Sequence, residues 1–194
     1  MRQSKIFNTL FAPILFVVMY AVPTTSCIAG VAHINQVEIK KESPALLRFE
    51  FNINPTQLLH QIMAPTMPFP VFLKTYAEFP EAAFQKALDK GIKKLESESY
   101  VHYPSGIKIA LKQWQLPSVA QFQNLLKQNL IIVDLPASFQ SHMEPITISA
   151  TALGKVPFTR VQLGLSPAFF PVQARYQQDA AWFTQQLPVS LFDF

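Results

Sequence analysis

From Leu47 to Ile53 every second residue is apolar, and at Asn54 the chain changes period. Leu47, Phe49, Phe51 and Ile53 alternate with Arg48, Glu50 and Asn52, the pattern of a strand with one buried and one wet face. Asn54-Pro55 follows directly. Asparagine is a good N-cap, and proline suits the first helical position, where its missing N–H costs nothing. A strand that runs straight into a capped helix commits the chain to mixed α and β structure.

The flanking patterns extend this frame. Val37 and Ile39 alternate with Glu38 and Lys40 before a turn over Lys41–Pro44, which predicts a partner strand. Beyond Pro55, a short helix carries Leu58, Leu59, Ile62 and Met63. Phe69 to Tyr76 is expected to add a helical turn or two, and a longer helix runs from Pro80 to about Ser97. Its apolar stripe is Phe84, Leu88, Ile92 and Leu95. Gly91 is its weak point, costing about 1 kcal/mol against alanine. A hairpin is expected at residues 100–116, turning at Pro104-Ser105-Gly106, with Lys108, Ala110, Lys112 and Trp114 on one face. Ser118 and Gln121 form a capping box for a helix near 118–129. Strands are expected at Ile131–Leu135, Ile146–Leu153, Phe158–Leu165 and Val172–Tyr176, then a last segment ending at Phe194. The expected fold is α+β: antiparallel, sandwich-like sheets with a helical insertion over about residues 54–98.

The first thirty residues read as an address rather than as fold. Arg2 and Lys5 precede an uncharged run from Leu10 to Val22, and small residues follow, the order of a secretory signal. The run, interrupted by Asn8, Thr9 and Pro13, is shorter than the ~20 apolar residues that a spanning helix needs. The expected organisation is a signal peptide over 1–29 and one extracytoplasmic domain over 30–194. No stable membrane span is expected after removal. Loss of Arg2 and Lys5 lowers the formal charge from +4 to +2, too little for a basic field toward nucleic acid. Cys27 is the lone cysteine and the chain carries no Asn-x-Ser/Thr acceptor. Both point to a periplasmic or secreted bacterial protein that relies on its core instead of on disulfides.

Three sets of residues are candidates for chemistry. Cleavage after Ala29, Gly30 or Ala32 leaves His33 fourth, third or first. In the second case the amine, two amides and the imidazole supply the square-planar nitrogen donors that copper or nickel favours; in the third the amine and imidazole chelate copper, with His60, His102 or His142 as a further ligand. The connector from Met63 to Phe72 is too apolar for a solvated loop. Either it packs on the sheet, or Met67, Phe69 and Phe72 meet a protein partner. Trp114, Tyr176 and Trp182 are candidates to line a groove. A hydrolase ranks third: no Gly-x-Ser-x-Gly elbow occurs, and Asp134, Glu144, Asp179 and Asp193 are scattered. The leading expectation is an exported, non-enzymatic binding or accessory protein.

Overall fold

The alternation over residues 37–53 becomes a hairpin at the centre of a six-stranded sheet. β1 (Asn35–Ser43) and β2 (Leu46–Ile53) pair antiparallel, with Val37 opposite Phe51 and Ile39 opposite Phe49. This computed structural model describes residues 34–133 and 144–194. Among them are four helices and ten strands in two sheets, an α+β fold whose strand pairs are antiparallel with one exception.

Helices α1 (Pro55–Met63), α2 (Phe69–Ala77) and α3 (Glu81–Glu98) lie between β2 and the short strand β3 (Tyr100–His102). The helical insertion thus falls where the sequence puts it. The Asn54 side chain accepts from the backbone N–H groups of Thr56 and Gln57 at 3.1 and 3.2 Å, capping α1. α4 (Val119–Val133) opens on the expected box: Ser118 N–H donates to Gln121 Oε1 at 2.8 Å, and Gln121 N–H to Ser118 Oγ at 3.3 Å.

The six-stranded sheet runs β5 (Lys112–Gln115), β6 (Ile146–Leu153), β2, β1, β8 (Val172–Tyr176), β9 (Asp179–Phe183), with β1 and β8 parallel. The smaller sheet runs β10 (Val189–Asp193), β7 (Arg160–Gly164), β3, β4 (Lys108–Ala110). Consecutive strands pass from one sheet to the other at both corners, β4 to β5 and β9 to β10. The inner faces and the helical stripes share one apolar core, with Phe49, Phe51, Phe72, Phe84, Phe122 and Phe158 fully buried. Each such side chain contributes about 1.5–3 kcal/mol by leaving water.

Three expectations are corrected. The strand expected at Ile131–Leu135 is, through Val133, the end of α4, because the spacing of Phe122, Leu126 and Leu130 carries the helix on. Branching at Ile131 and Ile132 costs a helix only a few tenths of a kcal/mol each. The segment 107–116 is two strands in different sheets. Gln113 has φ 55° and the pairing with β6 shifts register between Lys112 and Gln115. That irregularity turns Trp114 inward, its ring 5.4 Å from Phe51 and 6.0 Å from Phe169, while Ile107 stays about half exposed. The final segment is two strands, because the loop at 184–188 carries the chain around the corner between sheets.

No helix among the described residues is long and apolar enough to cross a membrane.

Candidate functional site

The apolar connector divides between core and surface. Phe72 and Leu73 are fully buried, Met67 and Phe69 partly so, and Val71 is half exposed. Phe72 is therefore corrected as a partner contact: its ring is closed off among those of His60, Phe69 and Tyr76 at 5.1, 6.4 and 4.8 Å. The helical period explains the split. In α2, positions 72, 73, 76 and 77 face inward, and Phe69 sits one turn before Phe72 at the rim.

Phe69 stands beside α1. His60 Nε2 donates to the Met67 carbonyl at 2.7 Å, since a carbonyl only accepts, and the Phe69 ring meets the imidazole edge-on at 5.4 Å. His60 thereby ties the connector to the helix it follows. Because Leu58, Leu59 and Ile62 turn into the core, Gln57 and Gln61 are left on the open side.

Opposite them lies a 3-10 turn, Pro167–Phe169, which follows β7. Between the two runs a cleft of about 310 Å³ lined by Gln57, His60, Gln61, Phe69, Pro167 and Gln185, among others. Buried Asn35 fixes its walls relative to one another. The Asn35 amide donates to the Phe169 carbonyl at 2.8 Å, and Asn35 Oδ1 accepts from Asn54 N–H at 3.1 Å. One side chain thus holds the start of β1, the cap of α1 and the 3-10 turn.

Sequence reasoning missed Asn35, Gln57, Gln61 and Gln185. A signal existed for the first: Asn35 shares the inward phase of Val37 and Ile39, and a buried amide there needs partners. The glutamines carry no such mark, because nothing local says which solvent-facing amides converge.

The other candidates stand apart. His33, His142, Asp134 and Cys27 lie outside the described residues. Among the described residues no group of three or more His, Cys, Asp or Glu could hold a metal ion. His102 Nδ1 faces Gln162 Oε1 at 3.4 Å; like His60, it has a partner other than a hydroxyl. Asp193 is engaged by Arg160, which donates from Nε at 2.6 Å and Nη2 at 3.0 Å. Those hydrogen bonds hold the Asp193 carboxyl below the usual range. Tyr103 is pushed up by burial, and its hydroxyl donates to the Val156 carbonyl at 2.8 Å. Tyr176 is buried in the core, whereas Trp182 is 46% exposed.

No protein-family model matches this sequence, and a search of curated proteins finds no significant relative.

Proposed function

We propose that this chain is an exported, non-enzymatic binding or accessory protein of the periplasm or medium. It docks a protein partner by seating an extended segment of it in the cleft beside Phe69. The observation that carries this reading is the composition of that cleft. Gln57, Gln61 and Gln185 line it together with Phe69, Phe170 and Pro167. An amide offers both donors and an acceptor, as a peptide backbone requires, and the apolar lining accepts an apolar side chain. The basic, apolar and small-residue order of residues 1–29 is what supports the compartment in this reading.

The test is capture of a partner by the protein exported through its own leader, using cross-linking in cells. Phe69→Ser removes a partly exposed ring, so the domain stays folded and the cross-linked partner disappears. Gln57→Ala with Gln61→Ala weakens capture without altering the melt. Phe72→Ala removes a fully buried ring and serves as the stability control, losing about 3–5 kcal/mol. Undiminished capture by folded Phe69→Ser protein refutes the assignment.

A further inference from the structure

The six-stranded sheet leaves one face open to solvent, and the strand registers place its side chains in rows. Thr147, Asn52, Gln36, Gln173 and Trp182 are successive partners across β6, β2, β1, β8 and β9. Alternation along each strand turns all five outward, opposite the buried Val37, Phe51, Ile148, Val172 and Phe183. Four strand spacings of about 4.8 Å make this row about 19 Å long. Four of its members are neutral and hydrogen-bonding; the fifth is a half-exposed indole at the sheet edge. The Gln36, Asn52 and Thr147 side chains make no hydrogen bond among the described residues.

The neighbouring row is charged but self-compensated. Glu38 lies opposite Glu50 on one side and Arg175 on the other. Lys40 reaches both carboxylates, at 2.6 Å from Glu50 and 3.7 Å from Glu38. Arg175 donates from Nε and Nη2 to Gln173 Oε1 at 3.0 and 2.7 Å. The two rows enclose a concavity of about 470 Å³ lined by Gln36, Glu38, Glu50, Asn52, Thr147, Arg175 and Gln177, with Trp182 outside it at the end of the row.

We propose that this face binds a neutral saccharide chain, independently of the cleft beside Phe69. Two carboxylates matched by two cations leave no net field for a phosphate backbone, which is held mainly by unopposed cations. Protein contacts concentrate apolar and aromatic area at their centre, and here the middle of the row is amide, bordered by paired charges. Sugar hydroxyls donate and accept at once, as carboxamides do, and the apolar C–H face of a pyranose ring stacks on an indole. Trp182 supplies that platform at the end of the row, and Gln36, Asn52 and Thr147, two to four strands away across Gln173, supply donors and acceptors for the sugars that follow along a chain.

The experiment titrates the protein, exported by its own leader, with chitohexaose, cellohexaose and maltohexaose, read by tryptophan fluorescence and calorimetry. At least one binds with a millimolar or tighter dissociation constant. Trp182→Ala and Asn52→Ala each weaken that binding about tenfold or more at an unchanged melting temperature. Gln36→Ala, at an exposed position, serves in place of any variant that fails to fold. Two results overturn the proposal: no binding of any probe at millimolar concentration, or binding indifferent to Trp182→Ala and Gln36→Ala.

Discussion

Replacing Gly91 by alanine tests how α1 is held, and with it the floor of the cleft that Gln57 and Gln61 line. In an exposed helix interior the change gains about 1 kcal/mol, because glycine has the larger backbone entropy to lose. Gly91 is buried where α3 crosses α1. A Cβ added there lies 2.9 Å from Ile62 Cγ1, 3.0 Å from Cδ1 and 3.1 Å from Cβ. Carbon contacts are most favourable at about 3.5–4.0 Å, and the β-branched isoleucine has few rotamers in which to withdraw. Overpacking of this kind costs about 1–3 kcal/mol, so the two effects leave a net loss of about 1 kcal/mol. In a domain of this size that lowers the melting temperature by about 2–4 °C. A double-mutant cycle separates the terms. Ile62→Ala alone costs about 2–5 kcal/mol. Adding Gly91→Ala to it restores about 1 kcal/mol, because the methyl then enters vacated space. The sign of the glycine substitution thus reverses between backgrounds, a coupling of about 2 kcal/mol. Urea unfolding followed by circular dichroism measures all four corners. A higher midpoint for Gly91→Ala alone, or the same effect in both backgrounds, refutes the reasoning.

Two further outcomes follow from local chemistry. Asn54→Ala removes the acceptor for two backbone donors at the start of α1 and lowers stability by about 1 kcal/mol, while Asn54→Asp retains most of it; an unchanged denaturation midpoint in the alanine variant counts against the cap. Asp193 is held below its ordinary carboxyl range chiefly by its hydrogen bonds from Arg160. Its folded-state pKa is the lower one, so its stabilisation is present above that ordinary range and is lost as pH falls through the depressed value. The pair is exposed, so the effect is small and fades with salt. Acid titration of stability, compared with Asp193→Asn at low ionic strength, should show a flatter acid limb in the variant; parallel curves exclude a contribution.

Much of the fold was legible locally. The strand from Leu47 to Ile53, the Asn54 cap, the Ser118–Gln121 box and the inward stripe of α3 rest on contacts within a few residues, which spacing reports directly. Failures occurred where distant contacts outvoted spacing. Ile131 to Val133 have strand-like side chains, yet they continue a helix already packed through Phe122 and Leu126. Trp114 has the parity of Lys112, yet a register shift against β6 turns it, partly buried, against the core beside Phe51 and Phe169.

The candidate site divides the same way. That the connector is apolar and that Trp182 belongs to a strand could be read from the chain. Which of Met67, Phe69 and Phe72 remains at the surface depended on the docking of α2. The alignment of Trp182 with Gln36, Asn52 and Thr147 depended on four strand registers, including a parallel pairing between residues more than a hundred positions apart. Sequence by itself determined the inward phase of the regular strands and helices and where helices begin, since solvent and backbone hydrogen bonding act on each segment alone. The tertiary structure decided which polar groups converge. A solvent-facing amide has the same local energy wherever its neighbours lie, so only the packing of the whole chain selects them.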